Sequence, residues 1–419
     1  MYFSILDSRE ECFGFFFDGE IHFGDLPAEY TRTWSSTASI AGDKYEYAKV
    51  LCGGKTLEEV CPKHLRGEFL KRRERLLAFR RSFYLSKINL SEHCFYDMVP
   101  FEDIRKYFFV QDKIVQHVFN TYEKPENFYH QCRMLEFFND LSSKEIKTST
   151  KNLIANATTP KVRKFLSTFN KNFSNKIKYN FLRTKTGRLT TDSVSDLEGT
   201  LFDEFFELGT QYNNKKRSFP ILTLDADFRS LITPDNDLIM ELDYNAAELR
   251  VFLSLSGKEQ PSGDLHEWNS TFLNVDRQQA KRSVIAYMYG DKNSDVGELE
   301  KLYNVNVVKE KFYDPKREVA KTHFGKRIET DDFHAVNHII QGTAAEMVMR
   351  QLLKIEKLLT NRKSYVKMCL HDSVIIDLSR EDMDLFLDIV KTFTDTELGE
   401  YPCRVKAGKN FGNMKEIEV

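Results

Sequence analysis

The hydrophobic pattern begins with short runs typical of strands and then lengthens to a helical period. Residues 2–6 form one apolar run, and residues 13–17 and 20–23 form two more around Asp18-Gly19, a dipeptide that favours a tight hairpin turn. From 63 to 83, apolar residues recur at helical spacing between many lysines and arginines. The pattern therefore predicts strands and a hairpin, followed by a long basic helix.

Two interpretations of this basic helix remain open. Its cations are Lys63, Arg66, Lys71, Arg72, Arg73, Arg75, Arg80 and Arg81. A helix laid along nucleic-acid phosphates would use such residues as contacts, whereas a solvated amphipathic helix would simply expose them to water. The residues from about 91 to 181 are mostly helical in pattern as well, and they are rich in aromatic residues and lysines.

Later in the chain, strand-like runs alternate with helix-like segments, and two of the runs end at an aspartate. The run 238–242 precedes Asp243, and the run 365–370 precedes His371-Asp372, after which residues 374–378 are apolar again. The pattern predicts a strand before Asp243 and a hairpin whose turn contains Asp372.

Aspartates at the ends of two strands can meet over a shared cleft. Carboxylate and carbonyl oxygens are the ligands that Mg²⁺ prefers, so Asp243, Asp372 and the Tyr244 carbonyl are candidate ligands. Taken singly, Asp243 is expected to cap the helix that follows it, and Asp372 to be an ordinary turn residue.

One helix-like segment carries a mixed stripe. Arg277, Lys281, Ile285 and Tyr289 recur every fourth residue, which places them along one side of a helix. Two cations at one end of such a stripe can hold phosphates, and the aromatic ring at the other end can stack on a base. The alternative is a surface face with an apolar edge.

A second helix-like segment, 337–359, presents two amides one turn apart. Asn337 and Gln341 share a face of this helix. Amides there can read the minor-groove acceptors that every base pair presents in nearly the same place. The alternative is an ordinary capped helix with exposed amides.

Length, composition and net charge limit the classes of protein to which the chain can belong, but they do not single one out. The 419 residues, 41% of them hydrophobic, suffice for more than one domain. The net charge is −2, so any nucleic-acid surface must arise from local segregation of cations. The seven cysteines include no Cys-x-x-Cys pair, which predicts reduced thiols in a cytoplasmic protein. No long apolar stretch predicts a signal peptide or a membrane span.

The order of these segments resembles the polymerase region of the DNA polymerase I family (family A). Residues 243–250, Asp-Tyr-Asn-Ala-Ala-Glu-Leu-Arg, are similar to the family's first catalytic motif, Asp-Tyr-Ser-x-x-Glu-Leu-Arg. Arg277-x-x-x-Lys281 with Tyr289-Gly290 resembles the fingers-helix motif, and His371-Asp372 resembles the His-Asp-Glu motif. Further similar segments are 164–169, 186–191, 264–266, 341–345 and 408–412. The resemblance runs from about residue 161 to the C-terminus.

The resemblance implies an α+β fold in the shape of a right hand, with an antiparallel sheet in the palm and helical fingers and thumb, preceded by a small N-terminal domain. The implied division is 1–90 for the N-terminal domain, 91–185 for the thumb, 186–263 for the first part of the palm, 264–335 for the fingers and 336–419 for the second part of the palm. The N-terminal domain is expected to be either a degenerate exonuclease remnant or an unrelated cap.

The resemblance also implies roles for individual residues. Asp243 and Asp372 would hold two Mg²⁺ ions, or Mn²⁺ in their place, with Tyr244 as a further ligand. The incoming dNTP would contact Arg277, Lys281, His266, Glu248, Ile285, Tyr289 and Tyr244. The DNA would contact Arg188, Thr186, Arg229, Asn337, Gln341 and His371. Within these sets, Glu248 would exclude a ribose 2′-hydroxyl, and Arg188 and Gln341 would probe the minor groove at the primer end.

Three residues depart from the family pattern. Ser373 follows His371-Asp372 where the family has glutamate, which puts metal affinity and fidelity in question. Ile285 stands where the family has Phe or Tyr, and we expect poor use of dideoxynucleotides. Phe333 stands where arginine is common.

The N-terminal third lacks the signature of a proofreading nuclease. Asp7-Ser8-Arg9-Glu10 follows a strand-like run, but the Asp-x-Glu spacing of the family's 3′–5′ exonuclease is missing. We therefore expect no proofreading.

The function expected from the sequence is DNA-directed DNA polymerisation in replication or repair. The expected partners are primer-template DNA, dNTPs and accessory replication proteins such as a helicase or a separate exonuclease, with no membrane and a monomeric chain. The composition suggests a phage or other mobile-element replicase acting in the cytoplasm of an infected bacterium. The alternative is a catalytically weak or silent nucleic-acid-binding protein with a polymerase fold.

Overall fold

The protein mixes helices with small antiparallel sheets. The computed structural model describes residues 3–6, 12–24, 40–41, 43–90, 92–155, 159–173, 175–191, 218–288 and 296–418. Its helices are α1 Asp43–Leu51, α2 Leu57–Val60, α3 Lys63–Leu85, α4 Phe101–Thr121, α5 Phe128–Ser143, α6 Lys151–Ala155, α7 Pro160–Asn172, α8 Ala247–Leu255, α9 Leu265–Leu273, α10 Arg277–Met288, α11 Val296–Leu302, α12 Val305–Phe312, α13 Ala335–Leu358 and α14 Phe386–Thr394. Its strands are β1 Phe3–Leu6, β2 Cys12–Phe17, β3 Glu20–His22, β4 Ile40–Ala41, β5 Tyr179–Asn180, β6 Thr190–Thr191, β7 Leu238–Tyr244, β8 Tyr313–Asp314, β9 Val319–Lys321, β10 Arg327–Glu329, β11 Tyr365–Leu370, β12 Ser373–Leu378, β13 Asp395–Thr396, β14 Gly399–Glu400, β15 Cys403–Gly408 and β16 Lys415–Ile417. The α+β class predicted from the sequence is confirmed.

The N-terminal sheet contains the predicted hairpin. Its strand order is β3-β2-β1-β4, and Phe17 pairs with Glu20 across a two-residue turn. Asp18 and Gly19 have φ values of 52° and 83°. A turn with positive φ at both central residues matches the right-handed twist of the flanking strands, which is why this dipeptide is favoured there.

The basic helix α3 packs into the N-terminal core. Phe69, Leu76 and Leu77 are buried on one side of it. Arg73 is buried as well and donates a 2.9 Å hydrogen bond to Glu58 on α2. One side of α3 is therefore buried, as expected of an amphipathic helix. Cations such as Lys71 lie on its exposed side.

The buried cores divide near residue 133. One cluster of buried residues runs from Ile5 to Cys132 and includes α4, and the residues packed around it are called the N-terminal unit below; the other cluster begins at Met134. The sequence-based division at residue 90 does not coincide with this division between cores, because α4 buries its apolar face against α3 and α1. The thumb assignment of 91–185 remains a prediction.

A five-stranded antiparallel sheet forms the centre of the larger core. Its strand order is β11-β12-β7-β15-β16, and α13 packs on it next to α8 and α14. The predicted strand ending near Asp243, the predicted hairpin around Asp372 and the predicted helix from Asn337 all exist, with boundaries within two residues.

An ion pair is buried inside this sheet. Lys367 on β11 and Asp377 on β12 are 1% and 0% exposed, and their side chains lie 2.9 Å apart. Lys367 also contacts Asp235, and Asp377 accepts backbone hydrogen bonds from Asp235 and Asn236. These bonds satisfy both charges and tie the β11–β12 hairpin to the segment that leads into β7.

Two further findings concern the described residues only. The six cysteines whose side chains are described are all free thiols. No described helix combines the length and the apolar character needed to cross a bilayer.

Candidate functional site

The central sheet brings the two predicted aspartates onto neighbouring strands. Asp243 is the penultimate residue of β7, and its partner across the ladder to β12 is Ser373. Asp372 immediately precedes Ser373 in the turn of the β11–β12 hairpin. The register of this ladder therefore places two carboxylates, 129 positions apart in the sequence numbering (372 − 243), at one end of the sheet.

Two residues beside these carboxylates have left-handed backbone conformations. His371, just before Asp372, has φ 48°, and Ala246, which begins α8 after Asp243, has φ 53°. Residues other than glycine adopt this conformation at a cost of about 1 kcal/mol or more, and they keep it only where the surrounding structure imposes it. The sheet and α8 thus hold both turns in fixed shapes around the site.

Burial raises the pKa values of both carboxyl groups, and repulsion by Asp372 adds to the rise at Asp243. Burial, then the charges of Asp372 and Glu241, raise the pKa of Asp243 to about 6, although Lys406 and Arg404 on β15 act in the opposite direction. Burial also raises the pKa of Asp372, while His371 and Arg188 lower it. A pair of carboxylates that repel each other at neutral pH is stabilised by a cation placed between them.

The donor set fits a hard divalent cation. Asp243 and Asp372 offer only oxygen ligands, and the described residues contain no cluster of three or more His, Cys, Asp or Glu side chains suited to a metal. Ser373, where the family has glutamate, faces Asp243 across the ladder, but its hydroxyl donates to the Leu370 carbonyl at 3.1 Å. The site therefore presents two carboxylates and leaves the remaining coordination positions to water or phosphate oxygens.

The Tyr244 side chain points away from this site. Strand alternation places it on the face of β7 opposite to Asp243. Its ring stacks on Phe393 with centroids 4.0 Å apart, and its hydroxyl donates to the Phe393 carbonyl. The backbone carbonyl of Tyr244 is therefore the part of this residue that remains as a candidate ligand, and its predicted role at a dNTP stays a prediction.

A cleft of about 260 Å³ opens beside Asp372. Seven of the predicted site residues line it: Arg188, Glu248, His266, Ile285, Gln341, His371 and Asp372. The floor is apolar and includes Leu189, Val348 and Leu352. Site residues from six separate parts of the chain therefore meet around one opening, with polar groups at the rim and apolar groups beneath.

Arg188 and Glu248 contact each other across the cleft. The Arg188 guanidinium donates to the Glu248 carboxylate, and both residues keep part of their surface exposed. Burial raises the pKa of Glu248, and Arg188 partly offsets that effect. The contact fixes Glu248 at the start of α8, between the carboxylate pair and the loop that carries Arg188.

Asp264 anchors the start of the basic stripe. It caps α9, since one of its oxygens accepts hydrogen bonds from the backbone of His266 and Glu267 at 2.8 and 3.0 Å. Its other oxygen accepts from Arg277 at 2.8 Å and from Asn245 at 3.3 Å. Arg277 is thus paired with a carboxylate in this conformation, and it must exchange that partner to bind a phosphate.

The cleft side of α9 and α10 carries, in order, His266, Lys281 and Ile285. The buried Nδ1 of His266 has no hydrogen-bond partner within the described part of the chain, and burial, assisted by Lys281, lowers the pKa of its imidazole. Lys281 is exposed one turn after Arg277, and Ile285 is 39% exposed one turn later. Tyr289 lies outside the described residues.

The remaining predicted DNA contacts are dispersed. Gln341 lines the cleft, whereas the Oδ1 of Asn337, one turn earlier on α13, is buried without a partner among the described residues. Thr186 is 6% exposed beneath the loop of Arg188. Arg229 lies over the ring of Phe411 at 5.1 Å and does not line the cleft.

The structure adds a residue to which the sequence assigned no role. Arg250 is fully buried and donates to the carbonyls of Asn245, Pro261 and Gly263 at 2.8, 3.0 and 2.6 Å. It thereby joins the turn after Asp243 to the loop before Asp264. A lone arginine inside the apolar helix 247–255 is the sequence signal that could have identified it.

Comparisons with known proteins leave the family open. No protein-family profile and no curated protein sequence matches the chain. Among solved structures, the chain is similar to the POL domain of Pol1 from M. smegmatis in complex with DNA primer-template and dNTP, with 14% identity and a TM-score of 0.41. The match covers 72% of this chain and 55% of the other, so the chain spans about half of that protein. Likeness at this level assigns no activity, and the function must be argued from the site residues.

Proposed function

We propose that this protein is a DNA-directed DNA polymerase that extends a primer 3′ end with dNTPs. The observation that carries the proposal is the ladder between β7 and β12, which sets Asp243 next to the hairpin turn of Asp372. Around this pair lie Arg188, Glu248 and His266, which the sequence resemblance links to the same chemistry. A silent binding protein has no need to keep two repelling carboxylates together in a partly buried site.

Nucleotidyl transfer needs an activated primer hydroxyl and a stabilised leaving group. In the proposed reaction, the primer 3′-hydroxyl loses its proton to water, its oxygen forms a bond to the α-phosphorus, the bond from that phosphorus to the bridging oxygen breaks, and pyrophosphate leaves. Two Mg²⁺ ions, or Mn²⁺ in their place, supply charge stabilisation to both oxygens when bound. Asp243 and Asp372 would hold these ions, with the Tyr244 carbonyl as an additional ligand.

The basic stripe receives the triphosphate. Lys281 is exposed towards solvent at the cleft side, and Arg277 is held nearby by Asp264. A triphosphate competes with Asp264 for Arg277, because its negatively charged oxygens accept the same kind of charge-assisted hydrogen bond from the guanidinium as the carboxylate does. His266, uncharged near neutral pH, donates or accepts a single hydrogen bond at the same end of the cleft.

Contacts on the sugar and the DNA follow from the remaining residues. Glu248 excludes a ribose 2′-hydroxyl, because its carboxylate is fixed by Arg188 at the cleft. Arg188 and Gln341 contact the minor groove at the primer end, and His371 supports the terminal nucleotide. Thr186, Asn337 and Arg229 act as more distant contacts to the DNA, and the role proposed for Tyr289, which lies outside the described residues, is contact with the template side of the new base pair.

Ile285 sets the response to dideoxynucleotides. An aliphatic side chain provides no aromatic surface against the sugar and base, and aromatic contacts of that kind are worth about 0.5–1.5 kcal/mol. We expect poor dideoxynucleotide incorporation by the wild type. Ile285→Phe is expected to raise the efficiency of dideoxynucleotide relative to deoxynucleotide incorporation by about tenfold.

Chain-termination kinetics with both substrates measure this ratio. The matched control is Ile285→Leu, which changes the side-chain shape without adding a ring and is expected to leave the ratio unchanged. Efficient dideoxynucleotide use by the wild type would show that Ile285 does not have this role.

The proposed architecture is a right hand. The five-stranded sheet and α13 form the palm, and α9 to α12 with the β8–β10 sheet form the fingers. The thumb lies within 91–185, and the N-terminal unit carries no proofreading activity. The chain acts as a monomer on primer-template DNA, in replication or repair, with accessory proteins that supply the helicase and exonuclease functions.

Single-nucleotide incorporation tests this function. A labelled primer on a DNA template is offered each dNTP in turn with Mg²⁺, and the wild type is expected to add only the nucleotide complementary to the next template base. It is expected not to shorten a mismatched primer. Tight binding of the primer-template without any addition would instead support the silent binding protein.

A further inference from the structure

The turn between β9 and β10 lies directly beneath the loop of Arg188. Thr322 closes this turn, because its backbone N–H donates to the Lys326 carbonyl at 2.9 Å and its hydroxyl accepts from the Lys326 N–H at 3.0 Å. The Thr322 hydroxyl also donates to the Glu346 carboxylate on α13. The turn is therefore attached to the helix that carries Gln341.

The N-terminal unit reaches the same carboxylate. Asn127, which precedes α5 and is 2% exposed, donates from its side-chain amide to the other oxygen of Glu346. The Oδ1 of Asn127 in turn accepts from Gln131 at 2.7 Å. Since Glu346 is 4% exposed, these bonds satisfy a carboxylate that has little access to water. One buried group thus joins the N-terminal unit, the β9–β10 turn and α13.

Lys326 extends from this turn to Gly187. A Cβ atom built on Gly187 would lie 2.6 Å from the Lys326 Nζ, and the φ of Gly187 is 80°. The ammonium group therefore lies against the position that a side chain at 187 would take, and the positive φ is what favours glycine there. The next residue is Arg188, whose guanidinium contacts Glu248 at the cleft.

Burial disfavours the charged form of Lys326. Burial lowers the pKa of its ammonium to about 8, while the nearby Glu346 carboxylate acts in the opposite direction. Burial likewise raises the pKa of Glu346. A hydrophobic residue would fill the position of Lys326 without this desolvation cost. The buried polar contacts around Glu346 therefore serve to position the neighbouring loop and not to stabilise the fold alone.

We propose that Lys326 is a positioning residue for Arg188: the turn that Glu346 and Asn127 hold in place supports Gly187 from below and so sets the reach of the Arg188 guanidinium into the cleft. The proposal rests on the proposed function, in which Arg188 contacts the primer end. It also gives the N-terminal unit a task, because Asn127 completes the junction. The unit then stabilises the primer-end contact instead of removing mismatched nucleotides.

The first experiment compares extension of matched and mismatched primer ends by Lys326→Ala. The ratio of the two kcat/KM values is expected to fall by about tenfold, because a displaced Arg188 loses its contact with the correctly paired end. The KM for the dNTP is expected to change less than twofold. Lys321→Ala is the matched control, because Lys321 lies on the same hairpin and pairs with Glu126 of the N-terminal side at 2.6 Å. It is expected to leave the ratio unchanged.

Limited trypsin digestion supplies a second readout that needs no activity. Cleavage after Arg188 is expected to be about fivefold faster in Lys326→Ala than in the wild type, because the loop opens more often. Asn127→Ala is expected to shift both readouts in the same direction by a smaller amount. An unchanged ratio together with an unchanged cleavage rate overturns the proposal. A wild type that extends no primer defeats the proposed function instead, and the cleavage rates then still decide whether Lys326 holds the loop.

Discussion

Replacement of Asp243 by asparagine is expected to abolish primer extension and to stabilise the metal-free fold. Activity should fall by at least about a thousandfold, because a neutral amide cannot balance divalent cations at the reacting oxygens. The free energy of unfolding at pH 7 should rise by about 1–2 kcal/mol, because the amide carries no charge and so removes the two causes that raise the pKa of Asp243, burial of the carboxylate first and repulsion by Asp372 and Glu241 second.

The stability gain has a defined pH window. The pKa of Asp243 is about 6 in the folded chain, above its ordinary value of 3.8, so the folded state binds the proton more tightly than the unfolded state does. Ionisation of Asp243 therefore costs no stability below about pH 4. The loss of stability grows as the pH rises through 6 and is fully present above that value. The difference in unfolding free energy between Asp243→Asn and the wild type should follow this curve.

Chemical unfolding without divalent cations, from pH 4 to pH 8, measures that difference. Glu416→Gln is the control, because Glu416 is an exposed carboxylate on β16, at the edge of the same sheet. A variant that keeps wild-type activity, or that is less stable than the wild type at pH 7, would contradict the assignment of Asp243 to a cation site.

Loss of the buried cation in the β11–β12 hairpin is expected to have the largest effect on stability. Lys367→Met leaves Asp377, which is fully buried, without its ion-pair partner. Removing one member of a buried pair costs about 3–5 kcal/mol, and the two backbone donors to Asp377 reduce this, so we expect about 3 kcal/mol. The midpoint of urea unfolding should fall accordingly.

The chain offers a close control for this effect. Lys363 pairs with Glu381 at the surface, where the two side chains are 61% and 67% exposed. Lys363→Met is therefore expected to change stability by less than about 1 kcal/mol. Equal effects of the two lysine substitutions would mean that the ion pair inside the sheet does not hold the hairpin of Asp372 in place.

The secondary structure around the site could be predicted from sequence because its signals are local. Apolar runs ending at Asp243 and before His371 predicted β7 and β11, and the helical spacing of apolar residues such as Ile340, Ala344 and Val348 predicted α13. The direction of the Tyr244 side chain also follows from strand alternation, whereas its assigned role at the dNTP stays a prediction.

The contacts between distant segments could not be predicted in the same way. The ladder that sets Ser373 against Asp243 is a tertiary register, and no local pattern encodes it. Arg277 pairs with Asp264 because the helix cap brings that carboxylate within reach, which sequence spacing does not reveal. The boundary between the cores depends on which unit α4 packs against, a choice that helical periodicity leaves open.

Primer extension by the wild type and by Asp372→Ala, on a DNA template with Mg²⁺ and dNTPs, tests the polymerase assignment most directly. Asp388→Ala serves as the control, because Asp388 is an exposed carboxylate on α14. We expect extension by the wild type and the control and none by Asp372→Ala. Absence of extension by folded wild-type protein, or equal extension by all three, would contradict a polymerase whose chemistry depends on this carboxylate pair.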